Sequence, residues 1–281
     1  MMKIRSYLSG VVVFVAAAMS ISAYASHSWS TYHWARTNNP IPLKVVDSVS
    51  NDWQFEFETS LTEWNQSTKL NMAVASTADD STTRKRCRSV SGQMRVCNAS
   101  YGFNGWLGLA SINIDSNGHI TQGIAKMNDS YSSYWNDSAV QSNGKTKGEN
   151  EQRHVMCQEI GHVFGLGHTS EDGSSQGTCM DYSSDPTSIS PNQHDYDQLA
   201  LIYNHLDSYN SYDDGSSGGG GGCTAPPGKG CNKFGTNSEA GPPMGIPVEV
   251  GLHHEIWVAA DGKGGYWIHH VTVAPGGAGR P

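Results

Sequence analysis

His154-Val-Met-Cys-Gln-Glu-Ile-Gly-His-Val-Phe-Gly-Leu-Gly-His168, followed by Cys179-Met-Asp-Tyr182, is the stretch on which the rest of the chain is read. Residues four apart on a helix share a face, so Gln158 and His162 point the same way, and Glu159 stands one step round. Gly165 has no Cβ, which lets the chain turn sharply and bring His168 back towards the same point. The spacing predicts a long helix over Glu149 to Phe164, ended by Gly165. Three side chains and one carboxylate then converge, an arrangement suited to a metal ion with a general base beside it.

Cysteine positions frame this segment. All six cysteines lie beyond residue 25, an even number that favours disulfides over thiol chemistry. Proximity in sequence suggests Cys87–Cys97, Cys157–Cys179 and Cys223–Cys231. The middle pair would tie the predicted helix, next to Gln158, to the segment that carries Met180. Closing a loop of that length stabilises by about 3 kcal/mol in the chain-entropy model.

Working outward, Pro42 to Val49 reads as a strand. Asp52 to Ser67 carries Trp53, Phe57, Leu61 and Trp64 at spacings of three and four, an amphipathic helix. Leu70 to Ala75 alternates as a second strand. Trp106 to Ile114 and Ile120 to Met127 flank Asp115-Ser-Asn-Gly118, a hairpin signal. Asp115 and Asn117 are also residue types that hold calcium, but the turn requires them anyway, so a structural Ca2+ has no support of its own. A helix, a hairpin-rich sheet and a second helix give an α+β class.

The ends of the chain differ from its middle. Residues 1–25 read as a secretory signal: Lys3 and Arg5 precede an apolar run, Leu8 to Met19, too short to span a bilayer, and Ala23-Tyr24-Ala25 offers a cleavage site. The expected product is exported, extracellular or periplasmic, with no membrane span. Without Lys3 and Arg5 the chain has 16 basic residues against 26 acidic ones, which argues against a nucleic-acid partner. The main domain is expected over 26–210 and a Gly/Ser linker over 211–222. A small β-rich accessory module is expected over 223–281. In that module Leu252 to Ala259 and Tyr266 to Val273 read as a hairpin whose symmetric pairing sets His254 opposite His270, with His253 and His269 nearby. A second metal site or a pH-sensitive patch is one reading of these histidines; plain surface residues are the other.

The central segment resembles the signature of the metzincin zinc metallopeptidases, H-E-x-x-H-x-x-G-x-x-H followed by a methionine turn. Glu159, His162, Gly165, His168 and Met180 fall on matching positions. The resemblance implies a zinc ion held by His162 and His168, with Glu159 as the base that activates water. It also implies Met180 packed beneath the metal, and Tyr182 placed as in the astacin and serralysin arrangement. Its fold is a matrixin- or astacin-like catalytic domain with a mixed twisted sheet, a backing helix and an active-site helix. The first ligand position departs from the signature, because Gln158 stands where a histidine is expected. A glutamine amide oxygen can coordinate zinc, though it is neutral and weaker than imidazole. His154 lies eight residues from His162, about 12 Å along a helix, too far to share one ion with it. Gln158 is therefore the expected third ligand, with Asp172 as the fallback. The implied activity is a secreted zinc endopeptidase acting on a protein or peptide. The alternative is a catalytically inactive binding or adhesion protein on the same scaffold. Substrate specificity and oligomeric state have no readable signal.

Overall fold

The computed structural model describes residues 27–213 and 242–275. Its framework is one nine-stranded mixed sheet. The parallel half comprises β1 (His33–Trp34), β2 (Lys44–Ser48), β3 (Ala73–Thr77), β4 (Met94–Ala99) and β6 (His119–Asn128). The antiparallel half comprises β5 (Trp106–Ile114), β7 (Ile246–Val250), β8 (His254–Ala260) and β9 (Tyr266–Val273). The path across it runs β3-β2-β4-β6-β5-β9-β8-β7, and β1 pairs separately with β6. Five α-helices, α1 (Asn51–Trp64), α2 (Ser81–Arg86), α3 (Ser132–Trp135), α4 (Lys147–His162) and α5 (Gln193–Ile202), and one 3-10 turn, Asp129–Tyr131, complete the described chain. A mostly β mixed sheet with few helices agrees with the α+β expectation.

The expected amphipathic helix is α1, and Trp53, Phe57, Leu61 and Trp64 are all buried. Its stripe packs on α4, where Trp64 Nε1 donates to the Cys157 carbonyl at 3.0 Å. Arg153 of α4 pairs with Glu63 and, at 3.7 Å, with Glu56 of α1. Helix α4 opens on a capping box, with Thr146 accepting from the Glu149 amide and Glu149 accepting from the Thr146 amide. From Asn150 to His162 its residues are buried all round, apart from a half-exposed Gln152, because α1 covers one side and β5 and β6 the other. The close approach depends on Gly108 of β5, where an added Cβ would lie 2.2 Å from Glu159 Oε1.

Cys87–Cys97 and Cys157–Cys179 are both disulfide-bonded. The leader, most of the linker and the Cys223–Cys231 pairing lie outside the described residues. The C-terminal residues that were expected to form a separate module instead continue the main sheet from 246 to 273. Strand β9 runs antiparallel along the outer edge of β5, from Trp106↔Val273 to Ile114↔Tyr266. The physical reason is the edge itself: β5 would otherwise present a row of unpaired N–H and C=O groups, which the hairpin satisfies. The hairpin register also differs from symmetric pairing. His254 faces Thr272, and Ile256 faces His270. Among the described residues, no helix is long and apolar enough to cross a membrane.

Candidate metal centre

The active-helix histidine is positioned by the end of α4. Gly165 adopts a φ of +90°, and a Cβ there would meet the Tyr32 carbonyl oxygen at 2.2 Å, so glycine makes both the turn and the close approach. Beyond the turn, Gly167 N donates to the His27 carbonyl at 2.7 Å and Trp29 N donates to the Gly165 carbonyl at 2.8 Å. The chain thereby folds back and sets His168 beside His162, ring centroids 4.6 Å apart.

A third imidazole joins them from β9. His162, His168 and His270 each offer a ring nitrogen, and these atoms lie within 4.8 Å of one another. His270 stacks on Trp29 (3.6 Å) and on His162 (3.9 Å). His162 Nδ1 donates to the Leu166 carbonyl at 2.8 Å, so its Nε2 bears the lone pair. That Nε2, both nitrogens of His270 and Glu159 Oε2 are buried with no hydrogen-bond partner among the described residues. Buried polar atoms without partners are costly, and a metal ion would satisfy them together. Burial lowers His162 to about 3, and burial with the neighbouring rings holds His168 and His270 well below the usual imidazole range. All three are thus neutral, the form that binds a metal. The group can hold a metal ion.

Glu159 is wholly buried, and burial raises its carboxyl to about 8. Its Oε1 lies 2.6 Å from Thr272 Oγ1, which also lies 2.8 Å from Gln158 Oε1. One hydroxyl hydrogen cannot serve two acceptors. A protonated Glu159 resolves this by donating to Thr272, which then donates to Gln158. The Tyr182 hydroxyl approaches His168 at 2.6 Å from Nε2 and 2.8 Å from Nδ1, and burial pushes the phenol well above its ordinary range. Met180 is fully buried, and its carbonyl accepts from the Thr169 amide at 2.8 Å.

Both ends of the Gln158 amide are engaged in hydrogen bonds. Its Nε2 donates to the Cys179 carbonyl at 3.0 Å and the Asp181 carbonyl at 2.8 Å, while its oxygen faces Thr272. These bonds fasten α4 to the methionine turn, beside the Cys157–Cys179 disulfide. The fallback Asp172 is exposed and accepts from Ser170 Oγ (2.6 Å) and the Ser174 amide (2.8 Å) within its own loop. His154 Nδ1 is held by the Ser188 carbonyl at 2.5 Å. Sequence reasoning missed His270, Thr272 and Trp29 as parts of this centre. Alternation along β9 places His270 and Thr272 on one face, but nothing in the sequence says that the hairpin lies along β5. Next to the centre, His254 and Glu171 form a further group with His168. A cavity of about 390 Å³, lined by Trp29, Tyr32, His168, Glu171, Ile256 and His270 among others, opens onto the imidazoles. No protein-family model, curated protein or solved structure matches this chain.

Proposed function

We propose that the protein is a zinc-dependent endopeptidase whose metal is held by His162, His168 and His270. The observation that carries this reading is the meeting of three imidazoles, two of them buried and with unpartnered nitrogens, beside the helix that bears His162 and the buried Glu159. Three nitrogen ligands suit zinc and leave a fourth position open, as catalytic zinc sites require. When bound, zinc polarises a carbonyl and lowers the pKa of water.

The chain's own groups divide the remaining work. Glu159, once ionised, accepts the proton of the attacking water and passes it to the leaving amine. Tyr182 can donate its hydroxyl hydrogen to the oxygen that gains charge, because its high pKa keeps the proton in place. Trp29 covers His270 and limits water on that side. The cavity beside His168 and His270 gives a peptide its route to the centre.

A second reading has its own support. Glu159 is hydrogen-bonded to Thr272, and Gln158, at the signature's first ligand position, spends its amide on two backbone carbonyls and Thr272. That favours an exported binding protein in which the centre is purely structural. Cleavage of a broad peptide library by the purified chain, beside Glu159→Gln, separates the two. Zinc-dependent cleavage abolished by Glu159→Gln supports the peptidase. Zinc retained with no cleavage by either protein supports the binding protein.

A further inference from the structure

A second cluster, sharing no residue with the first, brings together three distant parts of the chain. His33 on β1 and His119 at the start of β6 are direct partners in the parallel register of those strands. His205 and Asp207 follow α5. The Nε2 atoms of His33, His119 and His205 each stand 3.5 Å from one atom, Asp207 Oδ1. The ligand atoms of His33, His119 and Asp207 all lie within 4.8 Å of one another.

Hydrogen bonds fix where the lone pairs point. His33 Nδ1 lies 2.6 Å from the Thr31 carbonyl, which can only accept, so Nδ1 carries the proton. Tyr209 gives its hydroxyl hydrogen to Asp115 Oδ2 at 2.8 Å and therefore accepts from His119 Nδ1 at 2.6 Å. His205 Nδ1 lies 3.0 Å from Asn204 Oδ1. In a neutral ring with its hydrogen on Nδ1, as these contacts place it for His33 and His119, the Nε2 lone pair turns towards the carboxylate oxygen. Asp207 is itself held in place, its Oδ2 accepting from the Arg36 amide at 2.8 Å and its own amide donating to the Arg36 carbonyl at 2.7 Å. Lone pair against lone pair is repulsive, and 3.5 Å exceeds the usual N–H···O length of about 2.7–3.2 Å. A shared cation removes the conflict. Ligands on a tetrahedral zinc with bonds of about 2.0–2.1 Å stand about 3.4 Å apart.

We propose that His33, His119, His205 and Asp207 form a second zinc site. The ligand atoms that stand together are two imidazoles and one carboxylate, and His205, outside that set but 3.5 Å from Asp207 Oδ1, swings in to complete a closed four-ligand zinc site with no place for substrate. His33, His119 and Asp207 form its inner set. His205, with its side chain 51% exposed, closes it from the solvent side. The ring nitrogens at Thr31 and Tyr209 are the outer bonds that such ligands usually make. The ion ties the N-terminal strand, the β5–β6 hairpin and the segment after α5, and it is independent of peptidase activity.

The test counts zinc in the full chain. A His162→Ala/His270→Ala protein, with the first centre removed, is expected to keep one equivalent of zinc and to lose it when Asp207→Asn and His119→Gln are added. Zinc should raise the melting temperature of the first protein by several degrees and leave the second unchanged. The proposal is overturned if the first protein binds no zinc, as when a single proton bridges a ring and Asp207. It is equally overturned if zinc survives the added changes. If the substituted chains fail to fold, zinc-edge anomalous diffraction from wild-type crystals decides: a peak among the four side chains supports the site, and no peak there refutes it.

Discussion

Thr272 Oγ1 lies 2.6 Å from Glu159 Oε1, although the two residues are 113 positions apart in the chain. The contact joins the C-terminal hairpin to the helix that carries the carboxylate. The hairpin is therefore part of the centre, contributing His270 as a ring and Thr272 as a hydroxyl from one face of β9. Thr272→Val removes the hydrogen that links Gln158 and Glu159 and leaves buried acceptors unserved. The expected loss is about 1–3 kcal/mol of stability, together with a drop in peptide cleavage. Thr272→Ser should retain most of both. Urea melts and cleavage rates of the two variants check this, and equal behaviour of Val and Ser would contradict it.

Gly108→Ala tests how closely the sheet and helix must approach. The new Cβ would lie 2.2 Å from Glu159 Oε1 and 2.7 Å from Val155 Cγ1, so either the helix or the carboxylate must shift. Overpacking of this kind costs about 1–3 kcal/mol. Cleavage should fall further than stability alone explains, because the displaced group is the proposed base. Gly102→Ala is the wrong control, since Gly102 has a φ of +100°.

Much of this was legible in the sequence. The stripe of Trp53, Phe57, Leu61 and Trp64 indicated α1, and Gly165 marked the turn after α4. Both described disulfides follow from proximity, and His162 and His168 were placed by spacing. Strand β4 was not legible, because Met94 to Ala99 contains Arg95 and Asn98 and lacks clean alternation. Helix α5 is amphipathic only weakly, and its capping signal, Asn192 with Asp195, is short. His270 escaped as a partner of His162 and His168 for a different reason. A sheet edge is completed by tertiary pairing across a glycine-rich linker, and local periodicity carries no record of which edge a hairpin joins.

The Cys157–Cys179 bond gives a third prediction. It fastens α4 to the turn where Gln158 already bonds to the Cys179 and Asp181 carbonyls. Replacing both cysteines by serine should cost about 2–4 kcal/mol. It should also weaken zinc binding, because the turn holding Met180 and Tyr182 loses its covalent anchor. Calorimetry and zinc titration measure the two effects. Unchanged zinc affinity would show that Gln158 alone holds the turn.

Lys126 on β6 yields a prediction about pH. Burial lowers its ammonium from 10.5 to about 8. The unfolded chain therefore holds more protons than the folded one between those values, and stability should rise as pH climbs from about 8 to 10.5. Below pH 8 the full penalty applies, on the order of 3 kcal/mol for such a shift. Lys126→Met should raise stability at pH 7 by roughly 1–3 kcal/mol and flatten that rise. Denaturant melts of both proteins from pH 7 to 10.5 check this, and a parallel pH dependence would contradict it.

The most direct test of the central claim is the zinc content and peptide cleavage of His270→Ala measured beside Gln158→Ala. The account predicts that His270→Ala loses one equivalent of zinc and all cleavage, while Gln158→Ala is less stable but keeps its metal. Loss of that zinc from Gln158→Ala and its retention by His270→Ala would return the glutamine to the metal and leave the hairpin as packing alone.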